Sequence, residues 1–362
     1  MDLSLVKVNL DNQDDINGFY ELAEKLYDNI QIKNYQMRLK PLLQKSDDYS
    51  LYIVKKNNSV VGRFVVGINK DIIDTNDKPF GYIGFLETID DFYVFSKIFD
   101  FAKFHLKEKV SSILYPFFKS TWYDYRLEVP NDTFNFFMEP PVKDYYHDFI
   151  NRYGYNESHL YYSSIRKNLS NYLKALESSF NDATEKGFTF RNIDKAKIKE
   201  ELQILYDISI KSFNKNPFYS EISFESFYSL YSKIMDIVDT ETLTFALKDN
   251  KEVGFMFSML DYSEIFSKVD LSSKNYIEQF FALVSNINGL IHKTVAILPE
   301  FRGNKLIGAL CYLHAQISLK RNYSYIISAY LHADNLSMKT ANKAKDDVLD
   351  KSYKLYQIDN KN

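Results

Sequence analysis

Two stretches of the chain repeat one pattern of apolar and polar positions. Residues 51–66 read LYIVKKNNSVVGRFVV, and residues 243–258 read LTFALKDNKEVGFMFS. In each, an apolar run breaks at a polar turn, Lys56-Asn57-Asn58 or Lys248-Asp249-Asn250, and resumes with Val61-Gly62 or Val253-Gly254. β-rich runs joined by Asn- and Asp-bearing turns predict a hairpin in each half. The segments after the two hairpins are parallel as well. In the first half, residues 80–89 read as a strand, 92–108 carry apolar residues at helical spacing, and 111–118 read as the next strand. A short helix over 143–155, closed by Gly154, and a strand over 159–165 complete that half. In the second half, strands are expected over 289–298, 323–331 and 352–358, with helices over 306–321 and 335–345 between them. Helical segments precede the hairpins at 16–30 and 198–213, and a helix over 170–187 bridges the halves.

Each half thus reads as helices, a hairpin, then β-α-β-α-β. That order predicts the α/β class, with mixed sheets and helices on both faces. The 362 residues are too many for one typical domain. The repeat places the division between residues 1–165 and 166–362. No Pro- or Ser-rich linker interrupts the chain there, so closely packed halves are expected.

Composition narrows the function. A net charge of -3, without like-charge blocks, gives no pull toward nucleic acid or a membrane surface. The single cysteine, Cys311, excludes an internal disulfide. It sits in an apolar helical run, which predicts a buried, inert thiol. The first residues lack a basic-then-apolar leader, and no apolar run approaches the roughly 20 residues that span a bilayer. The cytoplasm is the expected location. Histidine and cysteine show no metal-ligand spacing, and neither a nucleophile elbow nor a phosphate-binding P-loop is present, so no metal is expected.

The stretch ILPEFRGN (297–304) ends a strand at a proline, passes Arg302-Gly303 and enters a helix. With VGRFVV (61–66), GFLETIDD (84–91), PPVKDYYHDFINRYGY (140–155), HADNLSM (332–338) and YKLYQI (353–358), it resembles the GNAT (Gcn5-related N-acetyltransferase) family. The duplicated layout is similar to bacterial tandem-GNAT proteins. The resemblance implies two tandem GNAT-like domains and an acyl-CoA-dependent N-acyltransferase. Its co-substrate would be acetyl-CoA or another acyl-CoA, and its acceptor a small-molecule or peptide amine. A non-catalytic tandem-GNAT scaffold and an aminoacyl-type transferase are the alternative readings.

The family's cofactor strand splays from its neighbour, freeing main-chain groups for the pantetheine arm. The resemblance assigns that role to Val295, Ala296 and Ile297. A helix N-terminus then offers amides to the pyrophosphate, here from Arg302, Gly303, Asn304, Lys305, Leu306, Ile307 and Gly308. Lys305 and Ile307 stand where the family pattern has Gly and Gly/Ala, so the loop is either a working variant or a lost one. Lys305 offers a compensating charge. The first half has no such glycine loop and carries Asp90 and Asp91 at the equivalent helix start, which suits a structural role or a wall of the acceptor pocket. Asn335 matches the family's Asn opening the next helix, but the usual Tyr is replaced by Asn342. Tyr330 and His332 are the substitute catalytic candidates. His292 and Glu278 are further possible bases, and Trp122 a possible ligand platform.

Overall fold

The structure is a computed structural model and describes residues 3–27, 30–74, 77–335 and 348–360. The chain opens with β1 (Leu3–Lys7), α1 (Gln13–Tyr27) and α2 (Ile30–Leu39). Then come β2 (Tyr49–Lys56), β3 (Ser59–Ile73), β4 (Pro79–Thr88), α3 (Phe92–His105), β5 (Ser112–Tyr115), β6 (Leu127–Glu128), α4 (Tyr145–Tyr153) and β7 (Asn156–Arg166). The second round has α5 (Leu169–Glu185), β8 (Phe188–Asn192), α6 (Ile198–Phe213), α7 (Phe224–Tyr231), β9 (Leu243–Lys248) and β10 (Lys251–Leu260). It ends with α8 (Ser263–Phe266), α9 (Tyr276–Val284), β11 (Gly289–Ile297), α10 (Leu306–Lys320), β12 (Tyr325–His332) and β13 (Val348–Asp359). The helix expected over 335–345, and with it Asn342, lies outside the described residues apart from Asn335.

Both expected hairpins form. Asn57 and Asn58 in the first turn, and Asp249 and Asn250 in the second, all take positive φ between 50° and 65°. Two successive left-handed residues make the turn whose twist matches that of the flanking strands.

The elements gather into two compact units: Met1–Leu160 with Ser263–Val284 and Tyr353–Asn362, and Tyr161–Tyr262 with Ser285–Ser352. The first unit's strands run β1-β2-β3-β4-β5-β13, and the second unit's run β8-β9-β10-β11-β12-β7. Each order contains one parallel pair, β4 with β5 and β11 with β12. The closing strands are exchanged relative to the sequence expectation. The strand over 159–165 pairs with β12, matching Ile165 with Ile327. The last strand pairs with β5, matching Tyr356 with Tyr115. The units therefore interleave segments of the chain rather than part at residue 165. The periodicity of a strand marks which face is apolar, not which neighbour it takes.

In each unit the strands bury one face under a helix. In the first unit α3 brings Val94, Phe95, Ile98, Phe99 and Ala102 onto Phe64, Ile83 and Ile113. These positions recur at helical spacing, which is why the segment folds as a helix here. Phe95 and Phe99 stack at 4.3 Å, and Phe95→Ala would cost about 3–5 kcal/mol. In the second unit α10 packs Leu306, Ala309, Leu310 and Ala315 against Met256, Leu290 and Ile326. Among the described residues, no helix is long and apolar enough to cross a membrane, and no three His, Cys, Asp or Glu side chains gather as a metal site.

Candidate active site

The second unit contains a place where two parallel strands part. β11 and β12 pair from Gly289↔Tyr325 to His292↔Ser328 and no further, although β11 runs on to Ile297 and β12 to His332. The cause lies on the other edge of β11. Against β10, Thr294 faces Phe257 and His292 faces Ser258, which leaves Lys293 as an extra residue. Such a bulge bends its strand and raises the local twist. Val295, Ala296 and Ile297 therefore keep their ladder to Met256, Phe255 and Gly254 and turn an unpaired edge toward β12.

The loop after β11 delivers amides to the open end. Pro299–Phe301 forms one short turn, Gly303 has φ 84°, and Lys305 is left-handed at φ 58°, ψ 16° immediately before α10. No side chain caps α10, and the amides of Gly303 to Gly308 have no acceptor among the described residues. The first carbonyl taken up is that of Lys305, bonded by Ala309 N–H at 3.0 Å. Unpaired N–H groups at the start of a long helix favour an anion.

The side chains of the loop serve mainly to hold it. Arg302 donates Nε to Ile297 O at 3.3 Å and Nη2 to Ser212 O at 2.8 Å, tying the loop to its strand and to α6. Asn304 donates to Phe301 O at 3.1 Å and accepts from Lys186 Nζ at 3.2 Å. The Lys305 ammonium is paired with Asp182 on α5. Leu306 is buried and Ile307 packs on the core. Gly308 serves helix packing: a Cβ there would sit 2.6 Å from Ser179 on α5.

Across the opening lie the catalytic candidates on β12. Tyr330 is left-handed at φ 58°, at a register shift against β7, and its N–H donates to Ser163 Oγ at 3.0 Å. His332 stands edge-on to Tyr161 at 5.0 Å. Its Nδ1 accepts from Asp334 N–H at 3.2 Å, which leaves the proton of the neutral ring on Nε2. Burial lowers its pKa below the usual histidine value, against the pull of Asp334. Asn335 N–H bonds back to His332 O at 2.9 Å.

The remaining candidates sit elsewhere. Cys311 is buried, 4% exposed. Glu278 lies on the exposed side of α9 in the first unit. Trp122 is half-buried, with its N–H 3.4 Å from Ser120 Oγ. His292 does not titrate near neutral pH: burial, helped by His314 and Arg166, pushes its pKa well below the usual value.

The equivalent place in the first unit is closed. β4 and β5 pair through Tyr82↔Leu114, and Phe117 N–H then bonds Ile83 O at 2.9 Å. Gly84 allows this approach, since a Cβ there would meet Phe117 O at 2.7 Å. At the end of β4 the Thr88 main chain is fully taken: Tyr146 Oη accepts from its N–H at 3.0 Å and Tyr145 Oη donates to its carbonyl at 2.6 Å. Glu87 lies buried under Tyr146 (2.7 Å) and Tyr27 (3.1 Å). Burial raises its pKa, opposed by Arg63. The start of α3 is capped by Asp91, which accepts from Tyr93 N–H at 2.9 Å and pairs with Lys56 at 3.2 Å. Sequence reasoning missed this carboxylate-tyrosine cluster. The adjacent Tyr145-Tyr146 on a short helix was the available signal.

Two units of identical strand order, each with a β-α-β around one parallel pair and one of them opening beside an uncapped helix, decide the architecture. The fold is that of the tandem GNAT proteins. The chain aligns over 99% of its length with the GCN5-related glucosamine N-acetyltransferase region of a fungal multi-domain GH3 β-N-acetylglucosaminidase, at TM-score 0.55 and 15% identity, covering 38% of that chain. It aligns over its full length with a tandem GNAT protein from the clavulanic acid biosynthesis pathway, at TM-score 0.52 and 9% identity, covering 99% of that chain. By sequence it is 25% identical over 220 residues to Protein YghO of Escherichia coli (strain K12), which is 60% of this chain and 56% of that protein's length. No family model matches.

Proposed function

We propose that the protein is an acyl-CoA-dependent N-acyltransferase whose second unit binds the acyl-CoA and whose acceptor is a primary amine of a small molecule or peptide. The observation that carries this reading is a coincidence of two features: the edge of Val295–Ile297, which β12 does not pair and where the Ile297 carbonyl takes Arg302 Nε, and the amides of Gly303 to Gly308, which have no acceptor among the described residues. The edge suits an amide-bearing arm and the amides suit a diphosphate, so the residues present fit the group. When bound, acyl-CoA supplies an activated carbonyl and a thiol leaving group.

In this reading His332 takes the proton from the amine at Nδ1, the nitrogen that carries the lone pair, and gives up the Asp334 N–H bond as it does so. The amine lone pair then forms the C–N bond as the C–S bond breaks, and the Tyr330 hydroxyl returns a proton to the departing sulfur. The low pKa of His332 keeps it unprotonated at neutral pH, ready for this role. Arg302 holds the loop rather than the ligand. A non-catalytic tandem-GNAT binding protein is the second reading, favoured by the closed first unit.

Free-thiol release from acetyl-CoA across a panel of primary amines tests the proposal. The expected result is amine-dependent release that falls at least tenfold in His332→Ala and is abolished in Arg302→Glu. Acetyl-CoA binding without release for any amine would favour the second reading.

A further inference from the structure

The vertex of the opening holds a histidine that the reaction above does not use. His292 is the last β11 residue paired with β12, and its partner there is the buried Ser328. Its side chain, 7% exposed, lies edge-on to His314 of α10, with ring centroids 5.7 Å apart. It therefore faces the same side of the sheet as α10, whose N-terminus carries the free amides. The two histidines differ in one respect. His314 is satisfied at both nitrogens, by Ser258 Oγ at 2.8 Å on Nδ1 and by Thr244 Oγ1 at 3.1 Å on Nε2. Thr244 gives its own proton to Asn192 Oδ1 at 3.2 Å, so the His314 Nε2–H donates to Thr244 and Nδ1 accepts from Ser258. By contrast, the buried Nε2 of His292 has no hydrogen-bond partner among the described residues.

A buried polar atom left without a partner is costly, and proteins keep few of them. His292 is also the last β11 residue paired with β12, so the strand edge a ligand would follow ends at position 292. Lys293 to Ile297 spans about 13 Å of strand. A thioester whose phosphates sit at Gly303 to Gly308 and whose arm follows Val295–Ile297 points its acyl end at residue 292.

We propose that His292 is a direct contact for the acyl end of the thioester, donating a hydrogen bond from Nε2 to its carbonyl oxygen. The inference rests on the acyl-CoA reading above. Burial, with the nearby Arg166 guanidinium and His314 ring, keeps the ring uncharged, and the proposal assigns its single N–H to Nε2. A fixed donor at that oxygen would strengthen as negative charge develops there during attack by the amine.

Calorimetric titration of the full chain with acetyl-CoA and with CoA separates this inference from the reading beneath it. Wild type should bind acetyl-CoA about five- to tenfold more tightly than CoA. His292→Phe should lose that preference while keeping its affinity for CoA, and His292→Gln, which retains a neutral donor of similar reach, should recover most of it. Thermal melting checks each variant, and His292→Leu replaces His292→Phe if the larger ring unfolds the core. Equal binding of the two ligands by wild type, or an undiminished preference in the apolar variant, overturns the role of His292. Failure of wild type to bind either ligand overturns the acyl-CoA reading, and the role of His292 with it.

Discussion

The helices α3 and α10 follow the same strand in the two units, and their N-termini do opposite things. At α3 the Asp91 carboxylate occupies the end of the helix, the Thr88 main chain is bonded to two tyrosines, and Phe117 closes on Ile83. At α10, among the described residues, no side chain caps the helix and the amides of Gly303 to Gly308 have no acceptor, and β11 leaves β12 at His292 although both strands run on. One fold, written twice in one chain, shows what an anion site requires. The helix dipole is common to both units. The difference is whether the protein supplies its own anion and its own strand partner.

The exchanged strands offer the most drastic way to break the comparison. Removing residues 353–362 takes from the first unit the segment that pairs with β5, the Tyr356 hydroxyl bonded to His147 at 2.7 Å, and the Tyr353 bond to Glu139. Limited proteolysis should then digest the first unit while leaving cut fragments of the second. Equal resistance in the truncated and full-length chains would show that the exchange does not matter for stability.

A second change makes α10 resemble α3. Lys305→Asp removes an ammonium and sets a carboxylate beside the free amides. Acetyl-CoA affinity should fall about a hundredfold, since charge at a helix start and repulsion of a diphosphate act together. Thermal stability should drop little, because the Lys305–Asp182 pair is substantially exposed.

The buried histidines sharpen the contrast through pH. His314 has a folded-state pKa of about 3, and that of His292 is also lowered, whereas both would titrate near 6.5 when unfolded. Below that value the unfolded chain binds protons that the folded second unit does not. Stability is therefore full above about pH 6.5 and is lost as pH falls. For His314 alone the loss at pH 5 is about 2 kcal/mol. Denaturant melts of wild type and His314→Gln between pH 5 and 7 should show a shallower slope in the variant.

The smallest expected effect lies in the closed unit. Tyr145→Phe deletes the bond to Thr88 O and should cost about 1 kcal/mol in denaturant melts. Acetyl-CoA affinity should not change.

Much of this architecture was legible in the chain. The Asn57-Asn58 and Asp249-Asn250 turns announced the hairpins because left-handed pairs favour those residues. The apolar spacing of 92–108 and 306–321 announced α3 and α10. Arg302-Gly303 marked the loop, and Asp91 correctly signalled a helix start that keeps its own anion. The exchange of closing strands was not legible, because alternation within 159–165 or 352–358 is the same whichever neighbour the strand takes. Nor was the job of Gly308, which depends on Ser179 lying on a helix more than a hundred residues away. The strand opening was inferred by resemblance; its physical cause, the extra residue at Lys293, appears only in the register of β10 with β11.

The central claim is that one unit is open and the other shut. Calorimetric titration of the full-length chain with acetyl-CoA measures it as a stoichiometry. The account predicts one site per chain, lost in Lys305→Asp and unaffected by Tyr145→Phe. Two sites per chain, or one that survives Lys305→Asp at full affinity, would contradict it.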